Sequence, residues 1–380
     1  MTSNRGDPFD FWHVPASIER NNFKFKSLSS WAFNIAVGCG HACRFCYVPS
    51  ASTIKQGPAL AGYGVSDPDA QWGEYALLRP FDEKVFMASL KKAEQTDPGT
   101  LNSDGNRAVI YCSTTDAYQV FRGSTQEKQK LLSASARTIV RRSLELILKH
   151  STLNVRILTR SPMAEKDFEL FKEFGNRLLF GMSLPTLDNA LAKIYEPKAP
   201  APSQRLRTLQ KARDAGLNVY VAVAPTYPEC GEDDLRKTLT AVAKLKPCTI
   251  YHEPINIRAE NVERIAVHAR SLNVKLNTAV FDGGPNWRKY AVEQLMTVQR
   301  LACELGIEDR LHLWPDKSLK AKGPFLDARN SEFLRIYPSA LETSFQREQR
   351  RRNDEVQFTD FSLWLDYWHQ RISEWPGKTL

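Results

Sequence analysis

Apolar and polar positions alternate along the chain with the periods of strands and helices between residues 31 and 258. Short apolar runs, rich in Val, Ile and aromatic residues, are separated by longer segments in which apolar residues recur every three or four positions. The predicted strands cover 31–37, 108–112, 154–158, 177–184, 219–224 and 249–252. Because βα repeats form parallel sheets, the sequence predicts an α/β fold with a partial six-stranded (β/α) barrel over 31–258.

The helices predicted between these strands cover 82–93, 126–149, 164–174, 203–215 and 233–245. Beyond the barrel, the pattern predicts a strand over 274–281 and a helix near 288–305. Trp364, Tyr367 and Trp368 have helical spacing, which favours a helix face that packs on the body of the protein. We therefore expect an N-terminal extension (1–30), a core (31–258) and a C-terminal extension (259–380) that completes or covers the barrel.

Three cysteines lie close together just after the first predicted strand. Cys39, Cys43 and Cys46 have the spacing C-x3-C-x2-C, and Phe45 precedes the last of them. In barrel-like α/β folds, chemistry collects in the loops that follow the carboxyl ends of strands. Three thiolates on one loop can bind three irons of a cubane iron–sulfur cluster, which leaves the fourth iron open to an exchangeable ligand.

Other uses of these cysteines fit their spacing less well. Seven cysteines without a secretory segment argue against a disulfide framework, because three closely spaced ones leave an odd partner. A ferredoxin-type cluster normally has a fourth cysteine nearby, whereas the next one here is Cys112. A zinc site would need His41 as a fourth ligand, from a strained position between two cysteines. Zinc remains the main alternative to a cluster.

Polar side chains also follow the other predicted strands. Hydroxyls and a carboxylate at such strand ends can accept hydrogen bonds from an ammonium group, and a guanidinium suits a carboxylate. The residues are Thr114, Thr115 and Asp116 after the second strand, Arg160 after the third, Ser183 and then Glu196 after the fourth, and Val223 with Ala224 at the end of the fifth. Together they predict a binding site at this edge of the sheet, with apolar surface for an adenine at Val223 and Ala224.

With these motifs, the chain resembles the spore photoproduct lyase-like, or DNA repair photolyase, group of the radical S-adenosylmethionine (SAM) superfamily. The resemblance spans about 31–260 and rests on the cysteine loop, on 113–116, on 183–186 with 196–197, and on 205–216 followed by 223–225. It implies a 4Fe–4S cluster on the three cysteines. It also implies that the cluster cleaves SAM reductively to a 5′-deoxyadenosyl radical, which abstracts hydrogen from a substrate.

The resemblance also implies roles for single residues. Phe45 would lie near the adenine of SAM, Thr115 and Asp116 near its amino group, Arg160 near its carboxylate and Ser183 near its ribose. Cys112 is the candidate for the cysteine with which the lyase returns hydrogen to its substrate radical. Cys112 lies one residue upstream of the lyase pattern, and one residue reverses the face of a strand. The alternative is therefore a small apolar side chain in a helix interface.

Charge and composition bear on the substrate and the compartment. The 380 residues include 52 Lys and Arg against 43 Asp and Glu, a net charge of +9, which attracts phosphates. Basic runs lie within 316–322 and 349–352. We expect a DNA substrate with a pyrimidine lesion. RNA, a peptide or a small metabolite are alternative substrates, and a non-catalytic, metal-containing nucleic-acid-binding protein is an alternative function.

The remaining expectations concern location and partners. The first twenty residues have no apolar signal core, and no apolar run reaches the ~18 residues of a membrane span. We therefore expect a cytoplasmic protein without a membrane partner, reduced by a donor such as flavodoxin or ferredoxin. The long glycine- and aromatic-containing segment 47–80 predicts either a lid over the site or a segment packed on the barrel.

Overall fold

The computed structural model describes residues 6–21, 29–101, 107–319 and 361–372, with side chains to 369 in the last range. The basic positions 320–322 and 349–352 lie outside the described residues. The strands are β1 (Ile18–Arg20), β2 (Trp31–Phe33), β3 (Ala36–Gly38), β4 (Ala76–Leu78), β5 (Ala108–Tyr111), β6 (Asn154–Thr159), β7 (Leu178–Ser183), β8 (Val219–Thr226), β9 (Thr249–Pro254) and β10 (Leu311–Leu313). The α-helices are α1 (Val48–Ala51), α2 (Gly57–Ala61), α3 (Glu83–Glu94), α4 (Gln126–His150), α5 (Phe168–Glu173), α6 (Asn189–Tyr195), α7 (Pro202–Asp214), α8 (Glu232–Lys244), α9 (Asn261–Ser271), α10 (Gly283–Glu304) and α11 (Phe361–Ile372).

Eight strands form one open sheet in the order β1-β2-β5-β6-β7-β8-β9-β10. All neighbouring pairs are parallel except β1 with β2, and β3 pairs with β4 in a small separate antiparallel sheet. The α/β fold predicted from the sequence is confirmed, because β2 and β5 to β9 are its six predicted strands. The sheet gains β1 from the predicted N-terminal extension and β10 from the predicted C-terminal extension.

The two faces of the sheet bury different sets of residues. Val109, Val155, Phe180, Val221 and Ile250 belong to a large core shared with the helices. The alternate residues point to the inner face and form a separate cluster, as the period of two in a strand requires. That cluster contains Ala32, Ile110, Leu179, Tyr220, Tyr251 and Trp314.

Close packing on the inner face explains a glycine in the middle of β7. A Cβ at Gly181 would lie 2.4 Å from Cζ of Tyr220, well inside contact distance. The Tyr220 hydroxyl donates a 3.0 Å hydrogen bond to the carbonyl of Ile157, which holds the ring in place. Only a residue without a side chain therefore fits at position 181.

Helix ends follow the predicted chemistry, with one error beyond the barrel. Asp82 caps α3 by accepting hydrogen bonds from the backbone N–H groups of Lys84 (2.8 Å) and Val85 (3.1 Å). The strand predicted over 274–281 is wrong. The N–H of Val274 bonds to the carbonyl of Ala269 and closes the end of α9, and Thr278–Phe281 is a 3-10 helix.

The C-terminal helix docks on the body of the protein. Trp364 and Trp368 of α11 are buried, and the Trp364 indole N–H donates to Oε1 of Gln299 on α10 at 2.7 Å. The predicted packing of this aromatic face is confirmed. Of the helices in the described ranges, none is both long and apolar enough to cross a membrane.

Candidate cofactor site at the cysteine loop

The three clustered cysteines lie on one loop that follows β3. Cys39 and Cys43 are buried and Cys46 is half-buried. Burial raises the pKa of each thiol to about 12, and the charge of another thiol of the three adds a smaller contribution in the same direction. Metal binding would require these thiols to lose their protons, so cluster assembly would release protons here.

Two side chains that follow β5 hold the backbone around Cys39. The Thr115 hydroxyl donates to the carbonyl of Gly38 at 2.6 Å, and Gln119 Oε1 accepts from the N–H of Gly40 at 2.5 Å. Gln119 Nε2 also donates to the Thr115 hydroxyl at 2.7 Å, which joins the two supports. The backbone is therefore fixed on both sides of the first cysteine. Gln119 was not among the predicted site residues.

Asp116 is saturated by protein donors. Its Oδ1 accepts from the Thr159 hydroxyl (2.7 Å) and the N–H of Tyr118 (2.9 Å). Its Oδ2 accepts from Nε2 of His41 (3.0 Å) and the N–H of Arg160 (2.9 Å). Burial alone would raise the pKa of this carboxyl, but His41 and the other donors lower it to about 2. A carboxylate has about four acceptor positions, so an ammonium ligand at Asp116 stays a prediction that requires one donor to leave.

These contacts bear on the choice between zinc and a cluster. His41, the fourth zinc ligand that the sequence offered, directs Nε2 at Asp116. In the part of the chain that the structure describes, no three or more His, Cys, Asp or Glu side chains are grouped to hold one metal ion. Zinc ligands converge to ~2.3 Å from a single atom. In a cubane cluster each thiolate binds a different iron, so that group does not require the three thiols to converge on one atom.

A buried ionic network lies beside the cysteine loop. Glu196 is 1% exposed and accepts from Nε of Arg160 at 2.7 Å through one oxygen and from Arg205 through the other. Burial opposes its ionisation, but Arg205 and then Arg160 lower the pKa of Glu196 to about 2. Arg205 also donates to the carbonyls of Ser183 (3.1 Å) and Pro200 (2.8 Å). The network therefore links the ends of β6 and β7.

Arg205 was not among the predicted site residues, because the sequence pattern of α7 does not distinguish it from the exposed polar residues of an amphipathic helix. Its 1% exposure is the signal of a structural charge, and only the structure shows it. A buried arginine requires a paired anion, which Glu196 supplies from the end of α6.

Phe45 is the first of three aromatic side chains that contact one another in series, followed by Tyr227 and Tyr195. The guanidinium of Arg160 lies 5.6 Å from the centroid of the Phe45 ring, a cation–π distance. The ring centroids of Phe45 and Tyr227 are 5.9 Å apart, and Tyr227 stacks on Tyr195 at 4.0 Å and 6°. The structure thus brings together Phe45, Arg160 and Glu196, three residues predicted to belong to one site.

Helix α9 also contacts the cysteine loop, which the sequence did not predict. Asn261 Nδ2 donates to the carbonyl of Phe45 at 3.0 Å, and Arg264 donates to the carbonyl of Cys46. Both residues are buried. The predicted C-terminal extension therefore supports the loop directly.

Cys112 follows the end of β5 in a left-handed backbone conformation, with φ of 66°. Its sulfur lies 3.6 Å from the carbonyl oxygen of Phe33, and its side chain is buried in the large core. The sequence argument assumed that Cys112 lies within a strand, where a shift of one residue reverses the face of the side chain. That assumption is wrong, because β5 ends at Tyr111. Its role as a hydrogen donor stays a prediction.

Three further predicted residues lie near strand ends. The N–H of Thr114 donates to Oδ1 of Asn34 at 3.0 Å. Val223 is fully buried in the large core, and its carbonyl bonds with Nδ1 of His252 at 3.0 Å. Consecutive strand residues face opposite sides, so Ala224 is the member of the Val223–Ala224 pair that is directed away from that core. A surface for adenine at this point stays a prediction.

Comparison with known proteins places this chain in a family. No family model matches the chain. The chain is 31% identical over 249 residues to "Uncharacterized protein ORF301" of Acidianus two-tailed virus. The matched segment covers 63% of this chain and 72% of the relative. The chain belongs to the ORF301 family. The ORF301-family protein is also 22% identical over 275 residues to "Uncharacterized protein MJ0683" of Methanocaldococcus jannaschii, covering 72% and 87% of the two chains.

Solved structures establish the fold of the ORF301-family protein. A spore photoproduct lyase mutant with bound AdoMet and dinucleoside spore photoproduct matches with a TM-score of 0.55 at 13% identity, over 80% of each chain. A second mutant of that lyase gives a TM-score of 0.55 at 14% identity over the same shares. The ORF301-family protein therefore has the fold of spore photoproduct lyase, which is the fold that the resemblance implied.

Proposed function

We propose that this protein is a radical SAM enzyme, with one 4Fe–4S cluster bound by Cys39, Cys43 and Cys46. The observation that carries the proposal is the cysteine loop itself. Its three neighbouring thiols lie beside the ends of parallel strands, and the segment after β5 fixes the backbone on both sides of Cys39. An open coordination position on the cluster is where SAM would bind.

When bound, the reduced cluster would supply the electron that cleaves SAM to methionine and a 5′-deoxyadenosyl radical. The chain's own residues would position SAM. Arg160 is held through Nε by Glu196, so its terminal nitrogens suit the SAM carboxylate. Phe45 offers a ring face for the adenine, and Ser183 offers a hydroxyl for the ribose. Burial of the loop would exclude water from the reaction.

We propose DNA with a pyrimidine lesion as the substrate. The net charge of +9 supports binding to phosphates. The fold is shared with a lyase whose structures contain dinucleoside spore photoproduct. A low-potential cluster needs a reducing compartment, such as the cytoplasm, and a donor such as flavodoxin or ferredoxin.

The position of Cys112 favours a second candidate. Its sulfur faces the Phe33 carbonyl within the core, where it would need to move to reach a substrate. This observation favours the same radical chemistry on a different substrate, such as RNA, a peptide or a small metabolite.

The first experiment tests the radical chemistry. The protein is reconstituted anaerobically with iron and sulfide, reduced with dithionite and given SAM, and 5′-deoxyadenosine is measured by chromatography. We expect formation by the parent protein, none by Cys43→Ala, and parental formation by Cys303→Ala, a cysteine on α10 outside the loop. Formation by Cys43→Ala at the parental rate would refute the ligand assignment.

The second experiment tests the substrate. The same assay compares ultraviolet-irradiated DNA with untreated DNA of the same sequence. Stimulation by the irradiated DNA alone supports lesion repair. Equal formation with both would contradict lesion repair and favour the second candidate.

A further inference from the structure

A cleft of about 350 Å³ lies beside the cysteine loop, on the side of β1 and β2. One wall comes from residues 17–21 around β1, and another from residues 51–56 and Arg79, within the long segment whose role the sequence left open. The floor includes Asn34, Gly38 and Thr114, which belong to the cysteine loop and its supports. This volume is in the range of small-molecule sites and suits a ligand of about one nucleotide.

The walls carry more positive than negative charge. Among the residues that the structure describes, Arg20, Lys55 and Arg79 line the cleft, against one acid, Glu19. Arg20 is engaged elsewhere, because it donates to the carbonyl of Thr100 at 2.8 Å. Of the described cations, Lys55 and Arg79 therefore remain for a ligand to use.

Arg79 and Lys55 are available to an anion. Neither side chain donates a hydrogen bond or forms an ion pair within the described ranges of the chain. Arg79 is half-buried, and burial lowers the pKa of its guanidinium, although Glu19 nearby opposes this. An arginine remains charged in proteins even so. A partly desolvated cation that makes no hydrogen bond gains from an anionic ligand more than an exposed one does.

Polar groups beside these cations are held in place. Asn34 donates through Nδ2 to the Ser113 hydroxyl at 3.3 Å and accepts from the N–H of Thr114 at 3.0 Å. Gly38, next to Cys39, lines the same cleft. A ligand in the cleft would therefore lie directly beside the proposed cluster site.

We infer that this cleft binds a phosphate group of a nucleotide-sized ligand, with Arg79 and Lys55 as the phosphate contacts. A phosphate offers several acceptor oxygens, which suits one planar guanidinium and one ammonium that line the same cleft. The inference rests on the proposed function and deepens it, because it places a substrate phosphate beside the cysteine loop. It also assigns the segment 47–80 as a wall of the site.

The test is equilibrium binding to the reconstituted full-length protein. The probe is a fluorescein-labelled oligothymidylate of ten nucleotides, followed by anisotropy at low salt. We expect Arg79→Gln to weaken binding about tenfold and Lys55→Gln about threefold, as the loss of charge-assisted contacts predicts. Lys91→Gln, on an exposed face of α3, is the matched control and should leave the dissociation constant unchanged.

Competition identifies the recognised group. Displacement of the probe by thymidine monophosphate but not by thymidine supports recognition of the phosphate of a free nucleotide. Displacement only by unlabelled oligothymidylate supports recognition of a phosphate within a polynucleotide. Equal displacement by thymidine and its monophosphate would overturn the inference.

The remaining outcomes separate this inference from the proposed function. Lys55 is exposed, so its variant should fold normally, and wild-type binding by both Lys55→Gln and Arg79→Gln would overturn the inference. No probe binding by the parent protein would overturn it too, even if that protein cleaves SAM. Probe binding that is sensitive to Arg79, in a protein that does not cleave SAM, would support the cleft and refute the radical function.

Discussion

Replacing Asp116 by Asn tests how the cysteine loop is held. The substitution conserves shape, but it replaces one carboxylate oxygen by an NH2 group that can no longer accept. Each oxygen of Asp116 meets two donors, so either orientation of the amide places its NH2 against two N–H or O–H groups. His41 or Thr159 would lose its partner, and the backbone between Cys39 and Cys43 would lose a support.

The magnitude follows from the pKa of Asp116. Lowering a carboxyl pKa from 3.8 to about 2 corresponds to about 2 kcal/mol of stability at neutral pH. Two unpaired buried donors cost about 1–3 kcal/mol each, so we expect Asp116→Asn to lose about 2–6 kcal/mol. Because the folded-state pKa is depressed, this contribution is present above pH 3.8 and is lost as the pH falls towards 2.

The assay is urea unfolding followed by far-ultraviolet circular dichroism, with iron content measured after reconstitution. Asp82→Asn is the matched control, because Asp82 also accepts two N–H groups but lies at an exposed helix start where Asn caps equally well. We expect the control to lose less than about 0.5 kcal/mol and to keep its iron. An Asp116→Asn protein as stable as the control, with full iron content, would refute the reasoning.

Three further predictions test other parts of the structure. Glu196→Gln leaves two arginines without their buried anion. It should lower the free energy of unfolding, measured by urea unfolding, by about 3–5 kcal/mol. A loss below about 1 kcal/mol would contradict the network. Gly181→Ala places a Cβ 2.4 Å from Cζ of Tyr220 and should lower the free energy of unfolding, measured by thermal unfolding, by about 1–3 kcal/mol. The control Gly57→Ala has open space around it and should not destabilise the protein. Equal effects of the two substitutions would refute the packing argument. Cys112→Ala removes a sulfur buried in the core and should leave SAM cleavage without substrate within about twofold of the parent; complete loss would place Cys112 in the cofactor site.

Local patterns were sufficient to predict most of the fold. Six strands stood out because buried parallel strands are apolar runs between helices, and all six are present. The edge strand β1 escaped notice because it has three residues, two of them exposed and charged. The strand predicted over 274–281 is wrong although the composition there is typical of a strand, because the N–H of Val274 instead bonds to the carbonyl of Ala269 at the end of α9.

The site was less predictable because its contacts join distant parts of the chain. The spacing of the cysteines and the strand-end positions of Asp116 and Arg160 could be predicted directly, as could the position of Glu196 after a short helix. Asn261 bonds to Phe45 across 216 residues, and no local pattern signals such a contact. The sequence also could not show that protein donors saturate Asp116, since that depends on how three strand ends converge.

The most direct test of the central claim is electron paramagnetic resonance of the anaerobically reconstituted, reduced protein, recorded before and after addition of SAM. The account predicts the signal of one reduced 4Fe–4S cluster per chain, which changes its g-values when SAM binds the open iron and which is absent from Cys43→Ala. A protein that takes up zinc in place of iron, or a cluster signal that SAM leaves unchanged and Cys43→Ala retains, would contradict it.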